Sequence, residues 1–61
     1  MKVHDITHQE ASQIIEKRLP RGLFIEEGKE KYIGIDNSTG DAWTEEFISR
    51  PACIAWLNRS C

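Results

Sequence analysis

The proline at position 20 divides this chain into two parts with different apolar periods. Before it, Ala11, Ile14, Ile15 and Leu19 recur at helical spacing, while Gln13, Glu16 and Lys17 fall on the wet side. Thr7-His8-Gln9-Glu10 fits a capping box, in which the Thr7 hydroxyl accepts from the amide of residue 10 and Glu10 reaches back to the cap amide. A first helix therefore starts at Thr7, and Pro20 ends it by disfavouring the α region at Leu19. After Arg21-Gly22 come three short β-rich runs, Leu23 to Glu27, Lys31 to Asp36 and Ala42 to Phe47. Ser49-Arg50-Pro51 then signals a second helix, because serine caps well and proline is tolerated in a first turn. That helix runs to about Asn58, with Cys53, Ile54 and Leu57 as its apolar stripe and Trp56 at the edge of the stripe. The order predicts an α+β domain, α-β-β-β-α, with a three-stranded antiparallel meander packed with two short helices.

Turn chemistry sets which strand residues share a face. Ser38-Thr39-Gly40 suits a three-residue loop with glycine in the left-handed region, which places Ile35 opposite Trp43. An odd-length first loop after Glu27 puts Leu23 and Ile25 on the face of Ile33 and Ile35; a two-residue Gly28-Lys29 turn brings Phe24 there instead. The odd loop is the preferred reading. Both helices then cover the face carrying Ile33, Ile35 and Trp43, leaving Phe24, Tyr32, Gly34 and Thr44 on the other face, open to water or to a partner.

With 61 residues there is room for one domain and one core. Below roughly 70 to 80 residues a lone core rarely supplies more than about 3 to 5 kcal/mol, so disulfides, metals or a second copy are the usual aids. Cys53 and Cys61 lie about 12 Å apart along a continuous helix, beyond the roughly 7 Å that a disulfide spans. No apolar leader follows Met1 and no run is long enough for a membrane helix. These features predict a reducing cytoplasm, with Cys53 a small core residue and Cys61 a terminal thiol.

Charge is distributed unevenly. Residues 26 to 46 carry Glu26, Glu27, Glu30, Asp36, Asp41, Glu45 and Glu46 against Lys29 and Lys31, a net of -5, whereas the other segments are mildly basic. The aromatics Tyr32, Trp43 and Phe47 lie among these carboxylates, the opposite of a basic, aromatic-bearing nucleic-acid surface.

No constellation of catalytic residues emerges. His4 and His8 share a helical spacing but have no further ligand nearby, so neither a metal site nor a cofactor is expected. No serine or cysteine has a histidine at a suggestive spacing. Read as a calcium loop from Asp36, the chain has Phe47 at the twelfth position and Asp41 where glycine is obligatory. The segment Tyr32-Ile33-Gly34-Ile35-Asp36-Asn37-Ser38-Thr39-Gly40 resembles the first phosphate loop of the actin and Hsp70 type of ATPase. That site is built between two large lobes, which this chain has no length to form. Ser38-Thr39-Gly40 is similar to an aspartic-protease loop, with Ser38 at the position of the catalytic aspartate. A tight hairpin turn accounts for the same residues.

What survives is a binding surface. The expected partner-binding residues are Phe24 and Tyr32, an outward aromatic pair, with Thr44, Glu45 and Glu46 on the third strand, an edge in a plain meander. Glu45 shares the face of Trp43 and Phe47, either as an inward charge guarding the edge or at a bulge. Such an edge also offers a route to a homodimer. The run from Gly34 to Phe47, followed by a short terminal helix, resembles small uncharacterised proteins of Gram-positive phages and mobile elements. The resemblance covers residues 22 to 57 and implies a stoichiometric inhibitor of a larger host protein, defence systems among the targets. The alternative is a nucleic-acid-associated regulator acting through Lys2, Lys17, Arg18 and Arg21. No enzymatic activity, small-molecule substrate or membrane partner is expected.

Overall fold

Six elements form in the order β1 (Val3–Ile6), α1 (His8–Lys17), β2 (Leu23–Glu27), β3 (Tyr32–Asp36), β4 (Trp43–Phe47) and α2 (Arg50–Leu57). They are seen in a computed structural model, which describes residues 2–59. Both helix starts follow the chemistry of their caps. The Thr7 hydroxyl accepts from the Glu10 amide at 3.1 Å while the Thr7 amide donates to the Glu10 carboxylate at 2.9 Å. Ser49 accepts from the Ala52 amide, with Pro51 in the first turn. Helix α1 stops at Lys17, because Arg18 turns left-handed at φ 57° and its amide bonds back to the Ile14 carbonyl.

The fold is α+β, but its sheet has four strands rather than three. The order is β1-β2-β3-β4, with β1 parallel to β2 and the other neighbours antiparallel. The fourth strand is formed by residues 3 to 6, ahead of the first expected element, and α1 is the crossover that carries the chain back to lie beside it.

The helices lie on opposite faces, not together on one. Ala11 and Ile14 of α1 pack on Phe24 and Ile35, with Ile6, Ile33 and Ala42 around them. On the other face, Cys53 and Leu57 of α2 pack on Leu23 and Ile25, bordered by Val3, Tyr32, Phe47, Ile54 and Trp56. Strand alternation requires this division, since Phe24 and Ile25 point to opposite sides. The apolar stripe of α1 is narrower than its spacing suggests: Ile15 is exposed, and Leu19, also exposed, lies beyond the end of the helix.

Loop length explains the reversal of faces. Glu27 pairs with Tyr32, so the first hairpin encloses four residues and the preferred odd loop is overturned. The even length brings Phe24 opposite Ile35. The second connection encloses six residues, with Asp36 rather than Ile35 opposite Trp43. Gly40 is left-handed there at φ 87°, as its turn role required, but Ala42 is left-handed too and adds the extra step.

Candidate protein-binding edge

Strand β4 pairs only with β3, so one side of its backbone is unpaired within the described residues. Its register with β3 runs without a bulge from Asp36–Trp43 to Tyr32–Phe47. Trp43, Glu45 and Phe47 therefore share the α2 face, and Thr44 and Glu46 the α1 face. Glu45 neither points inward nor sits at a bulge; it is exposed across from Gly34. Phe47 alone is anchored, half-buried with its ring 5.7 Å from that of Trp56.

Only part of the expected binding surface is brought together. Thr44, Glu45 and Glu46 are exposed on the edge strand. Phe24 is not outward: at 5% exposure it is in the core beneath α1, with the His4 ring tilted against it at 5.9 Å between ring centroids. Tyr32 lies on the opposite face, half-buried beside the α2 cluster, so the two rings form no pair. Thr44 shares the face of Phe24, not that of Tyr32 and Gly34. Trp43, expected in the core, is 61% exposed, and Ile48 just beyond the strand is 90% exposed. Trp43 was missed as a surface group because the loop parity assigned it inward; the alternation with Glu45 was the available signal.

On the α1 side of β4 the sheet is incompletely covered. Helix α1 reaches Ile35 through Ala11 and Ile14 and leaves a groove of about 350 Å³ between Ile15 and the strand. Ile33, Thr44, Glu45 and Glu46 complete its lining.

The electrostatics are acidic at this edge. Lys31 donates to Glu46 at 2.7 Å, and that hydrogen bond and its charge hold the lysine above its ordinary pKa. Among the described residues, Glu45 makes no ion pair. The remaining pairs belong to the scaffold. Arg50 reaches Asp5 at 2.9 Å, tying α2 to β1, and His8 Nδ1 lies 3.2 Å from the Glu26 carboxylate. Burial alone would raise the Asp36 carboxyl. Hydrogen bonds from the Ser38 hydroxyl and amide, with the Arg59 guanidinium at 3.2 Å, outweigh it and hold Asp36 below the usual carboxylate range.

Cys53 is fully buried, and that burial pushes its thiol up against the smaller opposing effect of Arg50. Cys61 lies outside the described residues. No three of the described His, Cys, Asp and Glu residues gather as metal ligands would, and no helix among those residues is long and apolar enough to cross a membrane. Comparisons with protein families, with curated proteins and with solved structures found no match to this chain.

Proposed function

We propose that this protein is a small protein-binding module whose contact surface is the free edge of β4, and that it acts without chemistry of its own. The observation that carries this reading is an unbroken edge strand with Thr44, Glu45 and Glu46 exposed, flanked by the bare side chains of Trp43 and Ile48. Solvent-exposed edges are usually blunted by bulges, prolines, cover or charge; β4 has no bulge, no proline and no covering element among the described residues, and carries only the charges of Glu45 and Glu46. Adding a strand of another protein satisfies the unpaired backbone groups, and the large apolar side chains at each end supply anchors. The sharper version, a phage-encoded stoichiometric inhibitor of a larger host protein, rests on the sequence resemblance. A cytoplasmic setting is supported by the free, buried thiol of Cys53.

The test is affinity capture from native host cells, followed by amide hydrogen exchange on the captured complex. Protection of the β4 amides is the expected result. A stable complex that leaves β4 exchange unchanged would overturn the reading.

One observation favours the runner-up, a nucleic-acid-associated regulator. The Val3–Leu23 register sets Lys2 beside Gly22, and α1 returns Lys17 and Arg18 to the same end of the sheet, close in sequence to Arg21. Cations that look dispersed in the sequence are thus collected at one end. Retention on a filter at low salt, lost as salt is raised, would support this second surface; no retention would remove it.

A further inference from the structure

Resting on the reading of β4 as the contact edge, we propose that its occupant is an extended, basic segment of a partner protein in which cationic and apolar side chains alternate. A strand added to β4 places its residues directly across from Thr44, Glu45 and Glu46, with Cβ atoms about 5 Å apart. The two faces of that strand meet different chemistry. On the α2 face it meets Glu45, a carboxylate without an ion-pair partner among the described residues, and the exposed ring of Trp43. Lysine or arginine suits both, as counter-ion to Glu45 and over the indole face of Trp43.

On the α1 face, the residue across from Thr44 enters the groove of about 350 Å³ whose apolar walls are Ile15 and Ile33. Ile15 is 45% exposed there, so an aliphatic or aromatic side chain covers surface that α1 leaves bare. The occupant's pattern follows from the parity of β4: cationic toward Trp43 and Glu45, apolar toward Thr44. The net charge of -5 over residues 26 to 46 attracts such a segment at longer range.

A second copy of this chain meets like charges in two of its registers on β4. Antiparallel pairing of β4 with itself centred on Glu45 sets Glu45 against Glu45, and a shift by one residue sets Glu45 against Glu46 in one direction and against Thr44 in the other. Like charges directly opposite are destabilising. Those two registers are disfavoured for a second copy, whereas a cationic strand is favoured in each of them.

A synthetic peptide of alternating lysine and isoleucine, and its counterpart of alternating glutamate and isoleucine, test this by amide chemical-shift perturbation of the full chain at low salt. The lysine peptide is expected to shift β4 amides and to bind at least roughly tenfold more tightly than the glutamate peptide. Glu45→Lys and Ile15→Asp, both at exposed positions, should each weaken it by about tenfold, with circular dichroism unchanged. Equal binding of both peptides at β4 would overturn the charge preference and leave the contact edge standing. Failure of the lysine peptide to perturb β4, while a captured partner protects those amides, would likewise overturn the proposal alone. Concentration-dependent shifts of the same amides without peptide would assign the groove to a second copy and overturn it as well.

Discussion

Gly34 lies directly beneath Trp56. A Cβ built on the glycine would stand 3.1 Å from two carbons of the indole ring and 3.0 Å from the Cys53 sulfur. The absent side chain is what lets α2 settle onto the centre of the sheet. In β3 a larger residue would have to push the helix away or displace the ring, and dense packing leaves little room for either. We predict that Gly34→Ala destabilises the domain by about 1 to 3 kcal/mol, the usual range for overpacking. Urea denaturation followed by Trp fluorescence measures it, and an unchanged midpoint would show that α2 has slack at this contact.

Asn37 occupies a second tight position. Its side chain is completely buried, donating to the Pro20 carbonyl at 2.8 Å and accepting from the Ala42 amide at 3.1 Å. Its backbone exchanges hydrogen bonds with Gly22. One side chain thus joins the end of the α1–β2 connection to the turn that sets the β4 register. Asn37→Ala leaves both partners unsatisfied and is expected to cost about 1 to 3 kcal/mol. Asn37→Asp should also destabilise, because a carboxylate cannot donate to Pro20. Thermal unfolding of the two variants checks both effects.

Acid should weaken the fold through Asp36. Its folded-state pKa is depressed by Ser38 and Arg59 despite the opposing effect of burial, so its contribution to stability is fully present above the ordinary aspartate value of about 3.9. That contribution is lost as pH falls through the lower, folded-state value. Stability measured in urea should therefore decline below about pH 4, and Asp36→Asn should flatten the decline. An identical pH profile in the variant would place the acid sensitivity elsewhere.

The helices and the strand positions could be read from local chemistry, because caps and periodicity act within a few residues. Thr7 with Glu10, Ser49 with Pro51, and the stripe of Cys53 and Leu57 all appear where those rules put them. Two features escaped. Strand β1 has only four residues, and Val3 and Ile6 each point to a different face, so no periodicity announces it; its partner β2 stands on the far side of α1. The faces were misassigned because parity depends on loop length to the single residue. The second connection gained its sixth residue through the left-handed Ala42, held by the Asn37 side chain, a tertiary device that turn preferences do not record. The candidate edge was legible to a smaller extent: Thr44 and Glu46 are exposed as expected, whereas Glu45 is neither inward nor at a bulge, and Phe24 and Trp43 exchanged places between surface and core.

That exchange gives the sharpest test of the architecture. Phe24 is 5% exposed among Ala11, Ile14 and Ile35, whereas Trp43 is 61% exposed at the start of an edge strand. Removing the buried ring leaves a cavity between α1 and the sheet, which costs about 3 to 5 kcal/mol for a phenylalanine. In a domain of this size that approaches the whole stability of one core, about 3 to 5 kcal/mol, so Phe24→Ala should be largely unfolded at 25 °C. Removing the exposed indole deletes little packing, and Trp43→Ala should stay within about 0.5 kcal/mol of the parent. Trp43→Ala should instead lose partner binding, since its ring flanks Glu45 on the proposed contact strand. Circular dichroism and denaturation midpoints separate the two variants. A folded Phe24→Ala beside an unfolded Trp43→Ala would mean that both connections enclose an odd number of residues, with Phe24 off the face of Ile35 and Trp43 on it.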